Sequence, residues 1–213
     1  MIATLIGSTG LTGSSLVRQL LADPAITRVI SVSRRSANVS NAKLREVLVS
    51  DLAELPSIES RIRGDFYFSC LGTTMKAAGS KENFEKVDHA AIVAFAKIAK
   101  AHYANSFTLV SAMGASASSI FFYNKVKGRT EDDVKALGLR SLTIFRPSLL
   151  VGPRAEARPA EKIAAWTLIP LSRVLPTQMQ RSLTTEVETL ARRMLEEGKA
   201  ARPGVQVIPA KDI

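Results

Sequence analysis

The chain has 213 residues, 46% of them hydrophobic and 23% charged, and carries a formal net charge of +10 from 29 Lys and Arg against 19 Asp and Glu. That length supplies one substantial domain whose core needs no staple, and the single cysteine, Cys70, excludes an intramolecular disulfide and suits a reducing compartment. No apolar run approaches the ~18 residues of a spanning helix, no basic leader precedes the first apolar run, and the basic residues are dispersed, so a soluble cytoplasmic protein with no membrane or nucleic-acid partner is expected.

Residues 2–7 read as a buried strand and 12–21 as the helix after it. A second strand covers 28–33, a third 44–50 and a fourth 65–71. A long helix spans 81–102, where Phe84, Val87, Ala91, Phe95 and Ile98 recur near the helical period. The fifth strand is 107–112; a helix over 123–137 ends at Gly138, and a sixth strand over 142–145 is closed by Arg146 and Pro147. Strands alternating with helices predict right-handed βαβ units and a doubly wound parallel α/β sheet of Rossmann type. Prolines at 153, 159, 170 and 176 then break the alternation, before a helix over 185–197 and a short strand over 205–208. The whole of 1–213 is therefore expected to be one nucleotide-binding domain, with 148–213 contributing a small C-terminal lobe on the substrate side.

Gly7, Gly10 and Gly13 stand where the first strand becomes a helix, with Ser8, Thr9, Leu11 and Thr12 between them. Such glycines permit the turn, let a pyrophosphate approach the backbone and let helix pack on strand, while the helix N-terminus offers amides to phosphate. Ser8, Thr9 and Thr12 add hydroxyl donors. After the second strand, where a carboxylate would grip a ribose 2′-hydroxyl, the chain has Ser33, Arg34 and Arg35. Two guanidiniums suit a 2′-phosphate and point to NADP(H). Asp51 is expected to accept from the adenine amine, and Leu71, Gly72 and Thr73 to flank the adenosine ribose.

Tyr123 and Lys127 are four residues apart, so a helix projects both from one face. A phenol alone is a poor acid–base group at neutral pH. An ammonium about 4 Å away favours the phenolate by ~4 kcal/mol at an effective dielectric near 20. Lys127 is also placed to bond the nicotinamide ribose. Ser111, ending the fifth strand, is the candidate to donate to a substrate carbonyl and hold it against the phenol. Arg146, Pro147 and Ser148 close the sixth strand beside the expected nicotinamide. His89 and His102 have no third ligand at suitable spacing, so no metal is expected, and Cys70 reads as a small buried hydrophobe.

In this order, GSTGLTG, SRR, CLGTT, YNKVKGRTE and FRPSLLVG resemble the atypical short-chain dehydrogenase/reductase superfamily, most of all its branch of Tat-interacting oxidoreductase-like proteins. The resemblance runs from residue 2 to about 159. It implies an NAD(P)-binding Rossmann domain, NADP(H) at the glycine turn and Arg34/Arg35, and a triad of Ser111, Tyr123 and Lys127. Related proteins often carry paired serines where this chain has Ser111 and Ala112, so Ser116, Ser118 and Ser119 stand as alternatives. The family's frequent helical asparagine has no counterpart, Asp88 falling near its place. The expected function is hydride transfer between NADPH and a small carbonyl or alcohol; the alternative is an NADPH-binding regulator without turnover.

Overall fold

The computed structural model describes residues 1–152 and 184–213. β1 (Ile2–Ile6) leads into α1 (Leu11–Ala22), and β2 (Arg28–Ser33) is followed by β3 (Leu44–Leu48). A 3₁₀ helix over Leu52–Arg61 precedes β4 (Phe66–Ser69). Then come α2 (Met75–Ala78), α3 (Lys81–Glu85), a π turn at Lys86–Ala90 and α4 (Ala91–Ala101). β5 (Ser106–Val110), α5 (Phe122–Ala136), β6 (Ser141–Arg146) and β7 (Leu149–Val151) follow. β8 (Thr184–Glu186), α6 (Val187–Ala200) and β9 (Gly204–Pro209) make up the last described stretch.

The main sheet has seven strands in the order β3-β2-β1-β4-β5-β6-β9, every neighbouring pair parallel. This is the doubly wound Rossmann arrangement that the alternating elements predicted. Successive side chains of a strand point to opposite faces, and each face carries its own core. Phe66 and Phe68 of β4 join Ala3, Leu5 and Phe145 under α1 and α6, where Leu16, Leu20, Leu190 and Met194 are wholly buried. Tyr67 points the other way, joining Phe107, Leu142 and Ile144 under the 3₁₀ helix, α4 and α5. Strands covered on both faces are apolar on both faces, as these are.

The described C-terminal residues extend this sheet: α6 packs on the α1 side, and β9 adds the outermost strand beside β6. The part set off from it is a two-stranded ribbon in which β7 pairs with β8. Residues 153–183, holding the four prolines of the expected lobe, lie outside the described residues. Among the described residues no helix is long and apolar enough to cross a membrane.

Several boundaries depart from the periodicity; the helix read over 185–197, for one, begins only at Val187, because Thr184–Glu186 pair as β8. β3 ends at Leu48 because Ser50 and Asp51 open the 3₁₀ helix, both amides donating to the Glu54 carboxylate at 3.0 and 2.8 Å. β5 ends at Val110, leaving Ser111 just past the strand, though its amide still donates to Phe145 O at 2.7 Å. The expected helix over 81–102 is one helical run with the π turn inside it. Because all seven strands run the same way, the segments after β1, β2, β4, β5 and β6 gather at a single carboxyl edge, with the switch point between β1 and β4.

Candidate nucleotide and catalytic site

The turn after β1 is shaped by close approach. Gly7 has φ +81°, and a Cβ there would lie 2.6 Å from the Cys70 carbonyl carbon; a Cβ on Gly13 would collide with the Gly7 carbonyl. Only glycine avoids both problems. Gly10 caps α1 with no side-chain hydrogen bond, and no acidic residue occupies the first turn, so the helix presents open amides and a positive dipole end to an anion. Ser8 is buried and accepts from Ser31 Oγ at 2.7 Å, which leaves its own proton to donate. Thr12 is buried behind the turn and Thr9 is exposed on it, with Leu11 partly covered between them.

Ser33 ends β2 and donates to the Arg35 carbonyl at 2.6 Å, which folds the chain back over the strand end. Arg34 and Arg35 are exposed, and among the described residues neither guanidinium is engaged by a carboxylate. Asp51 caps a helix through one of its two oxygens. Its Oδ1 accepts from Ala53 N at 2.9 Å as the N-cap of the 3₁₀ helix, with Glu54 completing the capping box.

Tyr123 lies in the first turn of α5, edge-on to the buried Phe84 ring at 5.7 Å, and stays 39% exposed. Lys127, one turn on, is only 4% exposed. Its Nζ lies 2.7 Å from Asp88 Oδ1, and the other Asp88 oxygen accepts from Thr73 N at 2.8 Å. The π turn is what delivers Asp88, and Thr130 Oγ1 ties that turn to α5 by donating to the Asp88 carbonyl at 2.8 Å. Burial disfavours the Lys127 ammonium, but Asp88 foremost, then Tyr123 and Glu131, hold its pKa above that of an ordinary lysine.

The segment after β4 belongs to this centre too. A Cβ on Gly72 would stand 3.6 Å from Asp88 Oδ1 and 3.7 Å from Lys127 Nζ. Gly72 and Thr73 thus lie beside the buried ion pair, while Leu71 packs against the core. Ser111 is also placed otherwise than expected. Its hydroxyl donates to Glu131 Oε1 at 2.6 Å, and Arg146 grips both oxygens of that carboxylate at 2.9 and 2.6 Å. A serine has one proton, and without a substrate that of Ser111 lies on Glu131. Ser116 and Ser118 bond each other at 2.9 Å, and Ser119 Oγ accepts from Phe121 N at 3.1 Å. Pro147 is buried, and Ser148 joins Thr185 of β8 at 3.1 Å, so this corner braces the ribbon.

Glu131 and the role of Arg146 as a clamp were not read from the sequence, and Asp88 was noted only as falling near the place of the family's helical asparagine. Glu131 had a signal, since 123, 127 and 131 share one helical face; the pairing with Arg146 had none. His89 pairs with Asp133 at 2.6 Å, and His102 lies 3.4 Å from Glu59. Among the described residues no group of three His, Cys, Asp or Glu converges as a metal site would need.

The profile of a family described as NAD(P)H-binding matches residues 7–163. The protein fmp52, mitochondrial, of Emericella nidulans is 39% identical over 168 residues, covering 76% of this chain and 72% of the relative. Its Candida albicans counterpart, also named mitochondrial, is 38% identical over 176 residues, covering 78% and 77%. Among solved structures, MoeE5 in complex with UDP-glucose and NAD superposes with a TM-score of 0.74 at 17% identity, covering 98% of this chain and 75% of that one. The oxidoreductase ylbE of Lactococcus lactis gives 0.70 at 18% identity, covering 98% and 90%. The fold is common to all of them. The expected cytoplasmic location is overturned, because the curated relatives are named as mitochondrial proteins.

Proposed function

The chain belongs to the NAD(P)H-binding family of the atypical short-chain dehydrogenase/reductase type, and from that premise we propose that it is an NADPH-dependent oxidoreductase acting on a small carbonyl or alcohol. The observation that carries this reading is the pairing of a reachable phenol, Tyr123, with a buried ammonium, Lys127, on one face of α5. The residues at the carboxyl edge fit the dinucleotide: an uncapped helix N-terminus, two glycines that no other residue replaces, and a free Ser8 proton. The bound cofactor supplies or accepts the hydride. Tyr123 gives a proton to, or takes it from, the substrate oxygen; Lys127 stabilises the phenolate; Asp88 holds Lys127 in place.

Preference for NADP(H) rests on the exposed Arg34 and Arg35 at the end of β2, which have no carboxylate partner among the described residues. The +10 charge we assign to this anion site and to a general basic surface, not to nucleic acid. Many of the cations are already paired, among them Arg129 with Glu85, Arg192 with Glu196 and Lys199 with Asp23. Kinship with the fungal relatives carries a mitochondrial location. A regulatory role without turnover is the second reading, favoured by the engagement of the Ser111 proton. Titration with NADPH and NADH beside a carbonyl-reductase screen tests both: tight NADPH binding with no reduction of any carbonyl sinks the enzyme and keeps the regulator.

A further inference from the structure

One helical turn after Tyr123 lies a closed ion pair. Lys127 Nζ stands 2.7 Å from Asp88 Oδ1, and both side chains are buried. Thr73 N donates to the second Asp88 oxygen at 2.8 Å. Burial opposes the Lys127 ammonium, and Asp88, ahead of Tyr123 and Glu131, supplies the negative charge that sustains it. An amide at position 88 would accept from Thr73 equally well; what only an aspartate adds is charge. The other charged groups of α5 and of the elements packed on it are paired or face solvent. Glu131 is held by Arg146 and Lys135, Arg129 by Glu85, and Asp133 by His89. Lys81 lies 5.3 Å over the Phe122 ring, and Lys81, Glu82, Lys86, Lys125 and Asp132 are exposed. Among the described residues, Asp88 is therefore the carboxylate that answers Lys127.

We propose that Asp88 is a positioning residue that keeps Tyr123 a proton donor: by offsetting the charge of Lys127 it withholds most of the help a lone ammonium would give a phenolate, so that the site is set for reducing a carbonyl and oxidises an alcohol only in alkaline solution. The two charges stand 2.7 Å apart, so they act on the phenol as a pair whose field falls away faster than that of a single ion. Lys127 still steadies the transient phenolate, with Asp88 setting the limit. In reduction the carbonyl carbon receives hydride from NADPH, the π pair of the C=O bond moves onto oxygen, and oxygen takes the Tyr123 proton. Alcohol and NADP⁺ result, and the phenolate regains a proton from solvent. Oxidation needs the phenolate at the start. Asp88 leaves the overall equilibrium alone and sets the pH at which each direction finds Tyr123 in the required form. The direction rests on the oxidoreductase reading; the offsetting of Lys127 by Asp88 does not. Replacing Asp88 by Asn keeps the Thr73 bond and removes the charge, which leaves the phenolate as counter-ion to a buried ammonium.

Ionisation of Tyr123 is read without any substrate, as the ultraviolet difference between each protein and the same protein carrying Tyr123→Phe. Asp88→Asn should release the Tyr123 proton at least about one pH unit below the wild type. Asp88→Asn combined with Lys127→Met, which strands no charge, should titrate within about half a unit of the wild type. Turnover is followed beside this, as reduction of cyclohexanone with NADPH and oxidation of cyclohexanol with NADP⁺. The rise of oxidation with pH should move down by the same step in Asp88→Asn, a change that a merely structural role would not produce. If Asp88→Asn does not fold, the double variant decides: a Tyr123 midpoint a full unit or more above the wild type there shows Lys127 acting without an offset and overturns the proposal. Equal midpoints in the wild type and Asp88→Asn, or phenols that both keep their proton until the fold is lost, overturn it too. A shifted midpoint with no reduction of any carbonyl sinks the enzyme reading and leaves the role of Asp88 standing.

Discussion

Lys127 Nζ reaches Asp88 Oδ1 at 2.7 Å where α5 meets the π turn, and the two side chains are 5% and 0% exposed. Neither ion can be lost alone without stranding the other away from water. Asp88→Ala should cost about 3–5 kcal/mol, which for a chain of this size lowers the melting temperature by roughly 10 °C. Asp88→Asn, which keeps the acceptor for the Thr73 amide, should cost less. Thermal melts of both variants check this, and an unchanged melting temperature for Asp88→Ala would contradict the pair.

The same lysine predicts a pH dependence. Its folded pKa lies above the ordinary lysine value, so the folded state holds the proton more tightly than the unfolded chain. The resulting stability is fully present below about pH 10.4, the unfolded value. It is lost as pH rises through the folded pKa. Wild-type melting temperature should therefore fall on the alkaline side of pH 10.4, and Lys127→Met should lose that part of the decline.

Tyr123→Phe removes the proposed proton donor and little else, since the Phe84 contact survives. Turnover should drop by roughly a hundredfold to ten-thousandfold, with NADPH affinity within about threefold of wild type. A fully active Tyr123→Phe protein would end the acid–base assignment.

Arg34→Ala with Arg35→Ala tests cofactor choice. One charge-assisted contact to a 2′-phosphate is worth ~1.5–3 kcal/mol. NADPH should thus weaken by about tenfold for one contact and more than a hundredfold for two, while NADH changes little. Fluorescence titration at two ionic strengths is the measurement, the wild-type preference shrinking as salt rises. Equal wild-type affinities would leave the arginines as ordinary surface groups.

Cys70 gives a test of the surroundings of the glycine turn. Although part of the residue reaches the surface, burial pushes its thiol up to about 12. At pH 8 the native protein should react with a thiol reagent about a thousandfold more slowly than a free thiol, the thiolate being that much rarer. The rate should climb about tenfold per pH unit until the protein unfolds. Prompt labelling of the native state at pH 8 would show a different setting for this residue.

Most of the scaffold was legible because its signals are local. Gly7, Gly10 and Gly13 mark a βα turn within seven residues, and the apolar runs of β1, β4 and β5 announce strands covered on both faces. The spacing of Tyr123 and Lys127 needed only the helical period. What stayed hidden depends on partners distant in sequence. Nothing near Ser111 says that its proton goes to a carboxylate twenty residues on, or that Arg146 will hold that carboxylate. The π turn is silent for the same reason: the contacts that accompany it, of Asp88 with Thr73, Lys127 and Thr130, lie far off in sequence. The 3₁₀ helix was missed because Pro56 interrupts its apolar spacing. Asp51 carries a second role the sequence did not announce, because a carboxylate after a strand caps a helix as readily as it meets an adenine.

The place of β9 in the sheet has a consequence in time. β6 gains its outer neighbour only through Ser141–Gly204 and the registered pairs after it, and those residues are the last of the sheet to leave the ribosome. Until then the six earlier strands can assemble, but with β6 as a bare edge whose amides and carbonyls invite another chain. A nascent chain paused before residue 204 is therefore the species most exposed to misassembly, and the one for which chaperone capture matters most.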